Sequence, residues 1–230
     1  MKISPLFVLT LFSLPIWMYG QNHSALDVQF GGHRSGIILE NPLLKDEYIE
    51  HNGFHVGLHY QRKIGQRWWL RTGGRFTELS YKTPEKLLRW GTDFDPDTGL
   101  PRIDTTRSKV QFFHNHRYIE IPLLARYFFT KTKLGLYAEL GFSSSFYLNT
   151  RASNIQDGIR ISETQKDSNP FHLAGLAALG LNYQFTDQWS LFFQPSIRHD
   201  ITPTAGKTGD RYSNYFYSYG IDVGGRIALN

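Results

Sequence analysis

Glu120 and Arg126 lie on the run Arg117–Phe128, which reads RYIEIPLLARYF. If this run is a β-strand, its side chains alternate between two faces, so both charges emerge on one face while Ile119, Ile121 and Leu123 emerge on the other. A carboxylate and a guanidinium facing a shared interior can form a structural ion pair, line an ion path or perform acid–base chemistry. Reading neighbouring segments with the same two-residue period adds Glu139 and Asp222 on the acidic side and Arg198 and Arg226 on the basic side, with Arg71 and Arg75 within range. Ser143 and Ser145 share a face with Glu139, and histidines gather on 51–59 and 114–116. These residue types suit a hydrolase, which needs nucleophile, base and orienting acid within hydrogen-bond reach, but no spacing ties them into a triad.

A second constellation is Asp93, Asp95 and Asp97 followed by Gly99. Alternating carboxylates suit a calcium loop, yet the glycine comes one residue late, Pro96 intrudes and the twelfth position carries no acid. A solvated Asp-Pro-Asp-Thr-Gly turn explains the composition better. No cofactor is expected, and the absence of cysteine excludes thiol catalysis, thiolate metal sites and disulfides.

The elements that must position these charges are strands. Period-two alternation predicts eight of them, over residues 26–36, 54–61, 68–79, 117–128, 136–148, 171–185, 189–198 and 215–229. The connections run long, short, long, short, long, short, long, the short ones being 63–66, 130–133 and 186–188. That alternation suits an up-and-down antiparallel barrel crossing a membrane, with tight turns on one rim and large loops on the other. Aromatics, 15% of the chain, agree: Tyr60, Trp68, Trp69, Tyr127, Phe128 and Trp189 flank the short turns. Tyr81, Phe112, Phe113, Tyr118, Tyr147 and Tyr215 stand near the long loops and predict a second girdle.

At 230 residues, 40% hydrophobic and a mean hydropathy of −0.37, the chain is too polar for a bundle of membrane helices. Its one continuous apolar run, within residues 5–19, follows Lys2 and precedes Gly20, as in a secretory signal peptide. The expected organisation is a signal peptide over 1–20 and an outer-membrane barrel domain over 21–230. Net charge is +5 without a dense basic run, so nucleic acid is not an expected partner. A soluble barrel would put its apolar side chains inside and would leave unexplained why aromatics cluster at the turns.

With the strands placed, residues 118–127 (YIEIPLLARY) and 136–148 (LYAELGFSSSFYL) resemble the PorT-like outer-membrane β-barrel family common in Bacteroidota. In that family a Y-[LI]-E-[IV]-P-L-L strand precedes one carrying an aromatic, a small residue, a glycine and a serine-rich stretch. The resemblance implies an outer-membrane barrel and an accessory role in protein secretion or assembly, not a catalytic mechanism.

The sequence therefore predicts an all-β, eight-stranded transmembrane barrel whose lumen is filled by a charge network of Glu120, Arg126, Glu139, Arg198, Asp222 and Arg226. Eight strands enclose a space only just filled by side chains, which favours a plug over a path. The lipid-facing set is Ile119, Ile121, Leu123, Leu136, Leu140, Ile221 and Val223. Function then falls to the long loops. Residues 82–109 carry Leu87, Leu88, Trp90 and Phe94, apolar residues that a solvated loop does not need, and these are the expected docking surface. Expected partners are outer-membrane lipid and other envelope or secretion proteins. A lipid-modifying hydrolase and a narrow pore are the alternatives.

Overall fold

A computed structural model describes residues 24–39, 48–88, 93–94, 97–102, 108–130, 132–156, 158–166, 169–204 and 213–229. The expected signal peptide lies outside them. The described chain forms twelve strands: β1 (Ser24–Leu39), β2 (Ile49–Lys63), β3 (Trp68–Lys82), β4 (Lys86–Leu88), β5 (Asp93–Phe94), β6 (Pro101–Arg102), β7 (Ser108–Phe128), β8 (Leu134–Gln156), β9 (Ile159–Gln165), β10 (Phe171–Gln184), β11 (Trp189–Asp200) and β12 (Asn214–Leu229).

Eight of these close into a ring. The order β7-β3-β2-β1-β12-β11-β10-β8 returns to β7 through a β7–β8 ladder, and every pairing is antiparallel. Closure leaves no free edge within the membrane, where an unpaired backbone group would have no water to satisfy it. Threonines build the tight turns: the Thr186 hydroxyl accepts a bond from the Trp189 amide at 2.9 Å, and the Thr130 hydroxyl accepts one from the Leu136 amide at 2.9 Å.

The burial pattern is that of a soluble protein inverted. Buried positions are dominated by polar and charged side chains, while Leu140, Ile197, Phe142, Leu58 and Leu123 are among the most exposed. An outward apolar wall around a polar interior is stable only in lipid. Inward glycines leave space for rings reaching in from the next strand. A Cβ at Gly180 would sit 2.2 Å from the Tyr137 ring, and one at Gly224 would sit 2.3 Å from Phe192.

Two strands are longer than the predicted ones. β7 has 21 residues and β8 has 23, whereas a tilted transmembrane strand needs about 9–11. The surplus stands outside the membrane on the long-loop side. There β8 turns into β9, and β4 adds to the far edge of β7, so a four-stranded sheet in the order β4-β7-β8-β9 rises from the rim. Residues 149–169, expected as a polar connection, are therefore largely a hairpin. Residues 108–116 likewise extend the strand expected to begin at 117.

Candidate functional site

The lumen is built in layers. Nearest the short turns, Asp27 is held by Arg226 at 2.8 Å, by Arg126 and the Arg71 Nε at 3.4 Å, and by the Gln61 amide at 3.1 Å. Glu139 accepts from Arg126 at 2.7 Å and from Arg71 at 2.9 Å. Arg71 also donates to Gln29, and its guanidinium lies 2.9 Å from His59 Nδ1. Arg126 stacks over the Tyr137 ring at 4.4 Å.

One level higher, the Tyr137 hydroxyl donates to Gln194 at 2.7 Å and Gln194 donates to Asp222 at 2.9 Å. Asp222 pairs with His55 at 3.0 Å. Above this, Glu120 accepts from Arg75 at 2.5 Å, Thr77 and Ser145 at 3.0 Å and Arg198 at 3.1 Å. Arg198 reaches on to Asp200 at 2.7 Å. An aromatic and aliphatic lid of Leu79, Tyr81, Tyr118 and Phe216 covers this layer on the loop side.

The buried charges balance. Five carboxylates (Asp27, Glu120, Glu139, Asp200, Asp222) face five guanidiniums (Arg71, Arg75, Arg126, Arg198, Arg226) among the described residues. The gap between the layers measures about 20 Å³, room for little more than one water. Between these layers the described residues leave no aqueous path and no single-sign field to attract ions.

Of the six residues expected to form the lumen network, Glu120, Arg126, Glu139, Arg198, Asp222 and Arg226 all point inward. Within the network Asp222 faces His55 and Gln194, and Arg226 is engaged by Asp27. Asp27 and Asp200 were not singled out in the sequence, although Asp27 alternates in phase with Gln29 on the inward face of β1. Tyr81 and Tyr118, expected in an interfacial girdle, instead lie inside the barrel as part of the lid, because they fall on the lumen side of β3 and β7.

Among the described residues, the buried serines and histidines do not assemble a nucleophile. Ser145 donates to Glu120, and both Ser145 and His172 Nε2 lie against the Arg198 guanidinium, with no bond between the two among the described residues. Ser143, Ser145 and His172 are fully buried, and the Ser143 hydroxyl has no partner among the described residues. A hydrolase needs the serine–base hydrogen bond and access for substrate, and this interior supplies neither.

On the outer wall, Ile119, Leu123, Leu136, Leu140, Ile221 and Val223 are exposed and Ile121 is half-buried. Of the expected docking residues, Leu87 is exposed on β4, where it pairs with Lys109, and Leu88 pairs with Ser108. Phe94 lies on β5 and pairs with Pro101, while Trp90 falls outside the described residues, as does Asp95 of the acidic turn. The raised sheet carries a feature the sequence reading did not single out. Every residue of β9 from Ile159 to Thr164 is exposed, and one ladder edge of β9 has no strand beside it among the described residues. Ile161 and Phe112 both pair with Asn154 from opposite sides, so all three share one face of the sheet.

Comparison with solved structures finds similarity to Neisserial surface protein A, at 15% identity over 89% of this chain and 96% of that one with a TM-score of 0.45. It also finds Ail, the attachment invasion locus protein of Yersinia pestis, at 12% identity over 88% and 98% with a TM-score of 0.38. OprG from Pseudomonas aeruginosa matches at 7% identity over 90% and 96% with a TM-score of 0.48. Comparison with curated proteins gave no match. The outer membrane protein beta-barrel domain family matches residues 19–204, well over half the chain. With that match and the closed ring of eight inverted strands, the chain belongs to the outer membrane protein beta-barrel domain family.

Proposed function

We propose that this barrel is a non-enzymatic interaction module, of the PorT-like accessory kind, whose work is done by the raised sheet and loops outside the membrane. The observation that carries the reading is the contrast between a lumen sealed by a balanced ion network and a β7–β8–β9 sheet extended far past what the membrane requires. Extra strand length ending in an open ladder edge is suited to receiving an extended segment of another protein, which would add its own backbone bonds to β9. The partner class this favours is another envelope or secretion protein with an exposed strand.

The experiment is site-specific photo-cross-linking in intact cells. A cross-linker at Ser162, on the open strand, should capture a discrete protein partner, whereas one at Leu181, on the lipid-facing wall, should not. Capture of the same protein from both positions, or from neither, refutes the reading. Hydrolase and pore are the weaker alternatives, because Ser143, Ser145 and His172 are buried away from any substrate and because the layers of the lumen are filled.

A further inference from the structure

The outer wall carries a groove of about 1060 Å³. Its floor is the backbone of one continuous ladder row, Glu139–Ala178–Ser196–Gly220–His33–Gly53, in which each residue pairs with the next across five strand interfaces. Its walls are the outward side chains on either side of that row, including Ala138, Leu140, Ala177, Leu179, Pro195 and Ile197. Small residues among them make the depression, and the lining is almost wholly apolar along most of its length.

The groove does not end as it begins. Ala138 stands four residues above the turn-side end of β8, roughly 10 Å up at a tilt of about 40°. Arg34 stands ten residues above the turn-side end of β1, roughly 25 Å up and so at the outer edge of an apolar band of about 25 Å. There the groove meets Arg34, Asn52 and Tyr219.

Arg34 is incompletely paired. Its Nε lies 3.5 Å from Glu50, while its side chain stays 55% exposed. Glu50 is already engaged, accepting from the Tyr219 hydroxyl at 2.6 Å and from the Tyr217 hydroxyl at 3.0 Å. The terminal nitrogens of Arg34 have no partner among the described residues. A guanidinium fork held at headgroup height matches the oxygens of a phosphate, and the apolar groove below it matches hydrocarbon.

We propose that this groove binds one membrane lipid of the outer leaflet, acyl chain along the β8–β10–β11 wall and phosphate on Arg34. Charge complementarity commits the occupant to an anionic, phosphate-bearing lipid, since Glu50 meets only the Arg34 Nε and a neutral lipid would leave the two terminal nitrogens unmatched. The site lies on the membrane wall, so it stands independently of the function assigned to the raised sheet.

The test uses the purified full chain in detergent, native mass spectrometry, and two probes that share their chains and differ in the phosphate: dipalmitoyl phosphatidate and dipalmitoylglycerol. Wild type should retain phosphatidate over dipalmitoylglycerol. Arg34→Gln should lower phosphatidate retention at least about tenfold, as expected for loss of one charge-assisted hydrogen bond, without changing retention of dipalmitoylglycerol. Ala177→Trp, which fills the middle of the groove, should lower retention of both. Ala138→Phe, at its lower end, serves the same purpose if Ala177→Trp does not fold, folding being read from the shift in gel mobility on heating. Equal retention of the two lipids by wild type, unchanged phosphatidate retention in Arg34→Gln, or full retention by a folded groove-filling variant would each overturn the proposal.

Discussion

Arg126 is the side chain on which the lower half of the lumen converges, and replacing it with Met isolates what the network contributes. Met keeps an unbranched apolar stem and most of the volume, so the change removes charge and donors more than packing. In the native barrel the Arg126 guanidinium bonds Glu139 at 2.7 Å and Gln61 at 3.0 Å, approaches Asp27 at 3.4 Å and lies 4.4 Å over Tyr137. Glu139 keeps Arg71 after the substitution and Asp27 keeps Arg226, so neither carboxylate is wholly abandoned. Breaking one partner of a buried pair nonetheless costs about 3–5 kcal/mol, a large part of the 5–15 kcal/mol typical of a folded domain. Urea unfolding in lipid vesicles, followed by tryptophan fluorescence, should show Arg126→Met destabilised by about that amount. Adding Glu139→Gln should cost less than its single-mutant value predicts, with a coupling of at least about 1 kcal/mol, because the partner it would have left is already gone. A single-mutant loss within about 0.5 kcal/mol of zero, or strict additivity, would refute the view that these ion pairs hold the interior.

Three further outcomes follow from the same structure. Leu123, 55% exposed on the outer wall of β7 and five residues above its turn-side end, so about midway up the apolar band, should tolerate Val, whereas Leu123→Arg should cost roughly 2–4 kcal/mol in the same unfolding assay; an equal effect of both substitutions would contradict the lipid-facing assignment. In planar bilayers the purified protein should show no steady conductance, and discrete channel openings would show that the filled lumen has been misread. Replacing residues 85–106 with a short Gly-Ser linker should leave a barrel that still inserts and still shifts on heating, since the ring of strands closes through β7–β8 without it; failure to insert would make that connection structural.

The barrel was legible because its signal is local. On strands such as β7 and β8 the lipid side and the lumen side impose opposite polarities on successive residues, so Ile119, Glu120, Ile121 and Arg126 declare their faces without reference to any other strand. What alternation cannot supply is depth. Asp27, Arg71, Arg126, Glu139 and Arg226 meet because strand tilt and register bring five separate strands to one level, and nothing within each strand encodes that level. Hence the sequence does not show that Asp222 meets His55, and Tyr118, expected at a membrane interface, lies beneath the rim where its inward phase places it. The raised sheet was hidden for a different reason. Beyond the membrane both of its faces meet water, so β9, reading IRISETQ, loses the polarity contrast that marks a strand and passes for a polar loop.

We propose that the protein acts through the sheet it raises and not through its lumen, and trimming that sheet tests this most directly. Replacing residues 153–166 with a two-residue turn removes the open edge of β9 and shortens β8 while leaving every transmembrane pairing of β8 with β7 and β10 intact. The measurement is the yield of partner cross-links from a photo-cross-linker at Gln111, on the part of β7 that remains outside the membrane, with insertion verified by heat-shifted mobility. Full insertion with loss of the partner cross-link is expected; a correctly inserted, trimmed barrel that captures the same partner as wild type would place the binding surface elsewhere.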